Sequence, residues 1–248
     1  GQAVGGRGWY APPDTRALIT KQPGVVRFLE PGAYRMMYGV ARMSKNGTGI
    51  SGDNYTYSAS LPGQVIMSLS DGMGSGAAAD QESRKVIELL QQLLETGFSA
   101  RSALKMVNTI LLLTGVEQHP ATLDLCCVDL CSGVLEAMKM GAVATFVLSD
   151  GQAEILDAGN LPAGVLSQAE PALLSRKLWD NDQIIMITDG VLDACPGLDK
   201  EQSLKEYLES MPVKTPQDMA ERILEFALSF VPGARDDMTV LTAQVWKR

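Results

Sequence analysis

Apolar positions along this chain recur with two different periods, and the changes of period mark its elements. Residues 34–43 and 64–70 are short apolar runs, the second rich in Val, Ile, Met and Leu, and both predict strands. Between them, 44–52 holds Gly47, Gly49 and Gly52 and reads as a loop, with Asp53 placed in the loop after the first strand. After Asp71 the period lengthens. Gly72, Gly74 and Gly76 make a turn, and Val86, Leu89, Leu90, Leu93 and Leu94 then fall on one face of a helix over 77–94 that Gly97 ends. Ser99 is the N-cap of a second helix over 100–113, with Leu104, Val107, Ile110 and Leu111 in phase. Strand spacing returns over 122–129, 134–140, 145–148, 152–157, 173–178 and 182–188. The first four of these are broken by Ser-Gly, Gly-Ala and Asp-Gly turns. Helices over 200–210 and 216–230 and a strand over 238–245 complete the chain.

This order is not an alternation of strand and helix, which argues against a doubly wound parallel sheet. It predicts an α+β fold, a four-layer α/β/β/α sandwich of two stacked antiparallel sheets flanked by helices. Residues 1–24 are rich in Gly and Pro and read as a linker or irregular arm, leaving 25–248 as one domain.

Composition narrows the function. Of 248 residues, 46% are hydrophobic, enough for a sizeable core, and the net charge is −8. An acidic chain is a poor nucleic-acid binder, because phosphate contacts need clustered Lys and Arg, and it is equally unsuited to anionic lipid. The four cysteines, Cys126, Cys127, Cys131 and Cys195, form no CxxC pair and read as reduced, mostly buried thiols. No apolar run reaches membrane-spanning length and no secretory signal is visible, so this segment is expected to be cytoplasmic without membrane contact. The linker-like start makes the soluble part of a longer membrane-attached protein the other expected setting.

The candidate chemistry lies in four acidic motifs: Gly52-Asp53-Asn54, Ser70-Asp71-Gly72-Met73-Gly74, Thr188-Asp189-Gly190 and Arg235-Asp236-Asp237-Met238-Thr239. Each sets an aspartate at a strand end or in the turn beside one. Four carboxylates delivered in this way can converge, and an all-oxygen pocket suits magnesium or manganese rather than zinc or copper. Asp71 closes an apolar strand, and Gly72 adds no side chain, so its carbonyl can approach an ion closely. Asp-Gly is also a common turn, and Asp150-Gly151 serves as the comparison: it reads as an ordinary hairpin. Gly72–Gly76 lacks the lysine of a P-loop. His119 is the only histidine and reads as a loop residue. With no second histidine, a zinc enzyme and a Ser-His-Asp triad are both disfavoured. Asp124 and Asp129 lie on an apolar strand and read as structural, with Asp124 the one that could orient a group near the site.

The motifs also occur in the order of a known family. Ser51-Gly52-Asp53, Ser70 to Gly76, Ala121-Thr122-Leu123-Asp124-Leu125, Asn160-Leu161-Pro162-Ala163-Gly164, Asp189-Gly190 and Asp236 to Val240 resemble the bacterial branch of metal-dependent type 2C serine/threonine protein phosphatases, in its sporulation form. The resemblance covers about residues 25–246. It implies two Mn2+ or Mg2+ ions between two sheets. Asp71 then resembles the bridging ligand, Gly72 the carbonyl ligand, and Asp189 and Asp236 the ligands of the second ion. Asp53 resembles the acidic residue near the ions, direct or through water, which makes Asp53 and Asp71 the catalytic pair. Asp237 stands where many relatives carry Asn. Many eukaryotic relatives have a phosphate-gripping arginine a few residues before the first acidic site. Here that stretch is Gly47-Thr48-Gly49, and the nearby cations are Arg42 and Lys45. The resemblance further implies a phosphorylated anti-anti-sigma protein as substrate, in control of a sporulation sigma factor. It implies that the helices over 77–113 switch activity and form a homodimer. The alternatives are a stress-response phosphatase acting on a related anti-anti-sigma protein, and a pseudophosphatase that only binds a partner.

Overall fold

The computed structural model describes residues 31–45, 47, 49–59, 61–74, 76–113, 120–157, 159, 161–166, 170–212 and 215–248. The expected linker over 1–24, His119 and Asn160 lie outside the described residues.

Ten strands form two antiparallel sheets among the described residues. The first sheet has the order β1 (Tyr34–Met43), β10 (Met238–Lys247), β9 (Gln183–Ile187), β6 (Thr145–Ser149), β7 (Gln152–Leu156). The second has the order β2 (Asp53–Ser58), β3 (Gln64–Asp71), β4 (Leu123–Asp129), β5 (Val134–Met140), β8 (Ala172–Lys177). Helices α1 (Ala77–Glu95) and α2 (Ala100–Leu113) cover the second sheet, with Val86, Leu90, Leu104 and Val107 packed on Leu123, Leu125 and Met140. Helices α3 (Asp189–Ala194), α4 (Lys200–Ser210) and α5 (Pro216–Leu228) cover the first, with Leu204, Met219 and Ile223 packed on Phe146, Ile185 and Val240. The expected four-layer α/β/β/α sandwich is the observed one.

Local signals explain the element ends. Asp199 and Thr215 cap α4 and α5, accepting hydrogen bonds from the N–H groups of Gln202 (3.0 Å) and Asp218 (3.1 Å). Each such cap contributes about 1 kcal/mol. Pro216 occupies the first turn of α5, where its missing N–H costs nothing. Gly97, at φ +96°, turns the chain out of α1. Asp150 and Gly151 both have positive φ, at 48° and 76°, and make the tight hairpin between β6 and β7.

The layer between the sheets positions the site. Successive strand residues face opposite ways, so each strand sends every second side chain into this layer. Val65, Met67 and Leu69 on β3, Cys126 and Val128 on β4, and Ile184 and Met186 on β9 fill it. Burying one such side chain contributes about 1.5–3 kcal/mol, so hydrocarbon holds the sheets together. Toward one end the same inward positions turn polar: Asp53, Asp71, Asp124, Lys139, Thr145, Thr188 and Thr239. The alternation that builds the core thus delivers these groups to one place.

Two elements differ from expectation. Asp53 is the first residue of β2 rather than part of a loop. The segment Asp53–Ser58 hid because its inward residues are Asp53, Tyr55 and Tyr57, which do not read as an apolar alternation. Asp189 opens the short helix α3, whose six residues are too few to show a 3.6-residue period.

Candidate metal centre

Asp53 and Asp71 are direct cross-strand partners on β2 and β3. Asp189 enters from the end of β9 and Asp236 from the turn before β10, so the two sheets contribute two carboxylates each. Asp53 is fully buried, while Asp189 and Asp236 stand at the solvent side. Asp71 is fixed through its backbone: its N–H donates to Thr122 Oγ1 (2.9 Å), and the N–H of Thr122 donates to its carbonyl (3.0 Å).

The carboxylates interact strongly. Burial, then the charges of Asp53 and Asp189 together with a hydrogen bond to Asp189, push the Asp71 carboxyl up to about 9. Burial pushes Asp53 up to about 6, against the hydroxyls of Thr239 and Thr188. Asp189 is raised as well, by burial first and also by Asp236. Thr188 is the N-cap of α3, yet its hydroxyl makes no cap bond to that helix. It donates to Asp53 Oδ2 (3.0 Å) and accepts from the N–H of Thr239 (2.9 Å). Asp237 is held beside the cluster by the backbone of the β1–β2 loop. It is buried and accepts from the N–H groups of Gly52 (2.7 Å) and Lys45 (2.8 Å), tying the β1–β2 loop to the start of β10.

The backbone around Gly72 and Gly190 is closely packed. A Cβ on Gly72 would stand 2.5 Å from the carbonyl oxygen of Ala79, so only glycine lets α1 lie against the Asp71 turn. Helix α1 is also bonded to β2: Ser83 donates to the Gly52 carbonyl, and Asn54 Nδ2 donates to Asp80 Oδ1 (3.0 Å). A Cβ on Gly190 would stand 2.1 Å from the carbonyl oxygen of Asp237. Gly190→Ala is therefore expected to cost about 1–3 kcal/mol, or more, by forcing backbone apart. It should also displace Asp236. Chemical denaturation and manganese titration together check this, and a variant unchanged in both contradicts it.

Among the described residues no three carboxylate, thiol or imidazole groups already stand at ligand spacing around one point. The arrangement nevertheless fits hard cations on chemical grounds. The donors are all oxygen. Asp53 Oδ1 is buried without a hydrogen-bond partner, and Asp71 and Asp189 sit together through a hydrogen bond that requires a proton. A cation placed there removes the need for that proton. Asp150, by contrast, is exposed at its hairpin and takes no part. Cations flank the cluster. Lys45 Nζ lies 3.7 Å from Asp236 Oδ1, and Arg42 donates to the Asp53 carbonyl and stacks over Tyr55. Beside Asp236 an open pocket of about 270 Å3 carries Arg235 and Lys200. Thr188, Thr239 and Thr122 lie inside the sequence motifs without a role assigned there, although their inward strand parity is a usable signal.

A stability prediction follows from the raised carboxyls. Each binds its proton more tightly folded than unfolded. The stability they allow is full below the ordinary aspartate value of 3.8 and is lost as pH rises through about 6 and then about 9. The metal-free protein is expected to lose thermal stability between pH 5 and pH 9, roughly the span of those two values. Saturating manganese should flatten that fall. Calorimetric scans in chelator and in manganese check this, and a metal-free profile flat across the range contradicts it.

The sequence profile of the stage II sporulation protein E (SpoIIE) family matches residues 62–246. Stage II sporulation protein E of Bacillus subtilis (strain 168) is 30% identical over 222 residues, covering 89% of this chain and 27% of that protein. The Priestia megaterium protein of the same name is 32% identical over 215 residues, covering 86% of this chain and 37% of that one. The chain thus spans well under half the length of these relatives. The solved PP2C phosphatase domain of B. subtilis SpoIIE, with a fragment of its regulatory domain, superposes with a TM-score of 0.84 at 29% identity. The match covers 90% of this chain and 67% of that one. RsbX in complex with magnesium shares the fold, with a TM-score of 0.66 at 17% identity over 87% of this chain and 98% of that one. No helix among the described residues is long and apolar enough to cross a membrane.

Proposed function

Because this chain belongs to the stage II sporulation protein E family and is a PP2C-type, metal-dependent phosphatase domain, we propose that it removes phosphate from a phosphoserine of an anti-anti-sigma protein. The observation that carries the catalytic part is the convergence of Asp53, Asp71, Asp189 and Asp236 from both sheets, with the Asp71 carboxyl pushed up to about 9 by burial and by that crowding. Asp53, Asp71, Asp189, Asp236 and the Gly72 carbonyl would hold two ions, Mn2+ or Mg2+. Bound there, such ions supply an acidified water and positive charge for the phosphoryl oxygens.

The chain's own residues do the rest. Thr188 orients Asp53, and the hydroxyl and N–H of Thr122, bonded to the Asp71 backbone, hold Asp71 in place. Asp237 fixes the loop that carries Lys45. Lys45, with Arg235 beyond Asp236, sets positive charge where a phosphate approaches, in place of the arginine absent from residues 47–49. The sporulation family supports an anti-anti-sigma substrate of that pathway over its stress-response relative. Phe98, Met106 and Leu113 are exposed on and beside α2, which supports a homodimer through residues 77–113. A monomer by sedimentation would remove that part of the reading.

The test is phosphate release from sporulation and stress-response phosphoproteins, with and without manganese. Release from the sporulation substrate that requires manganese is expected. Manganese binding without hydrolysis of any phosphoprotein or simple phosphate ester would mean a pseudophosphatase and overturn the proposal.

A further inference from the structure

Below the carboxylate cluster lies a second buried polar group, made from inward positions of three strands. Asp124 on β4 and Lys139 on β5 are direct cross-strand partners, and Thr145 comes from β6 of the other sheet. All three are buried, at 1%, 0% and 0% exposure. Lys139 Nζ donates to Asp124 Oδ2 (2.6 Å), Thr145 Oγ1 (2.7 Å) and the Val143 carbonyl (2.7 Å), and Thr145 Oγ1 donates to Asp124 Oδ2 (2.6 Å). Both of these bonds to the carboxylate go to Oδ2. Oδ1 is buried and has no hydrogen-bond partner.

A buried ion pair is a poor way to hold two sheets together. Desolvating both charges offsets most of their attraction, and apolar residues of similar volume do as well or better. The neighbouring inward positions are indeed apolar: Val65, Met67, Leu135, Ala137 and Val147. What sets Asp124 apart is its location. It lines a cavity of about 50 Å3 whose wall also includes Thr122, Asp71, Thr188 and Asp189. A water needs about 10–15 Å3 of such volume and two or more polar partners, and both conditions are met.

We propose that Asp124 and Lys139 are positioning residues of the metal centre, acting through water held in this cavity. Lys139 and Thr145 fix Oδ2, which aims Oδ1 at the cavity. Water donates to Oδ1, and the chain of hydrogen bonds it starts steadies the carboxylates of Asp71 and Asp189. No proton or electron is transferred. The inference rests on the reading of Asp71 and Asp189 as metal ligands.

The experiment compares manganese affinity by calorimetry in the wild type, Asp124→Leu/Lys139→Met, Asp124→Asn/Lys139→Met and Met67→Ala. Outer hydrogen-bond partners of metal ligands are typically worth about 10–100-fold in affinity, and a loss of that size is expected for Asp124→Leu/Lys139→Met. Asp124→Asn/Lys139→Met keeps an acceptor oxygen and should lose less. Met67→Ala empties volume in the same layer and should lower thermal stability without moving manganese affinity. An Asp124→Leu/Lys139→Met affinity equal to wild type, or a loss no larger than that of Met67→Ala, overturns the inference. Independently of any variant's folding, a crystal structure of the manganese-loaded wild type should show water bonded to Asp124 Oδ1 and connected to Asp71 or Asp189. A dry cavity, or Asp124 bound directly to metal, overturns it. Wild type that takes up no manganese defeats the metal reading itself, and the inference with it.

Discussion

Asp71→Asn is expected to lose manganese-dependent turnover while the metal-free protein melts at a higher temperature than the wild type. The two halves of this result have one cause. Burial, with the charges of Asp53, Asp189 and Asp236, pushes the Asp71 carboxyl up to about 9, so the metal-free fold keeps it protonated at neutral pH. A neutral amide needs no proton taken up on folding at neutral pH, so that cost disappears, and the backbone bonds to Thr122 do not depend on the side chain. The ionised carboxylate that the metal-free fold suppresses is what two cations would require. The loss of turnover should exceed about 100-fold, the upper range for partners lying one bond outside a ligand set. Steady-state assays and thermal scans in chelator measure the two halves. Near-wild-type turnover in a folded Asp71→Asn protein removes the bridging role, and a lowered metal-free melting temperature contradicts the electrostatic account.

Asp189→Ala and Asp236→Ala should each weaken manganese binding by about 10-fold or more, whereas Asp150→Ala should leave it unchanged. All three aspartates sit in or beside turns, so turn chemistry alone predicts no difference between them. Their surroundings differ. Asp189 is hydrogen-bonded to Asp71 and raised by burial and by Asp236, while Asp150 is exposed on a hairpin at φ 48°. Alanine tolerates that φ poorly, so Asp150→Ala should cost about 1–2 kcal/mol of stability and nothing in metal affinity. The expected pattern is therefore crossed: one variant loses stability alone, and two lose affinity. Calorimetric titration of all three proteins decides it, and equal affinities would reduce the acidic motifs to turn formers.

Much of the fold was legible because burial follows period. The helices over 77–94 and 100–113 and most strands carry long apolar repeats, and the structure places them within a residue or two of those bounds. β2 and α3 were not legible. One buries Tyr and Asp where apolar residues were sought, and the other is too short to repeat. For the site, the four acidic motifs were visible as strand-end punctuation. What surrounds them was not. Nothing local distinguishes Asp237 from Asp236, yet Asp237 turns back to the N–H groups of Gly52 and Lys45. Thr188 looks like an ordinary N-cap until β10 brings Thr239 beside it. The Asp124–Lys139–Thr145 group depends on two sheets meeting, which no single stretch of chain encodes.

The pairing of β1 with β10 has a consequence for how the domain comes into being. It runs from Tyr34 opposite Lys247 to Met43 opposite Met238, so an early strand waits for a very late one. Asp236 immediately precedes that late strand. On the ribosome, β2 to β5 with α1 and α2 can assemble from contiguous chain, while the edge of β1 stays unpaired and the acidic set stays incomplete. Long-range closure of this kind is slow, because loop entropy is lost before contacts are gained. Completion of the first sheet and completion of the acidic set are therefore the same event, and an unfinished chain has neither.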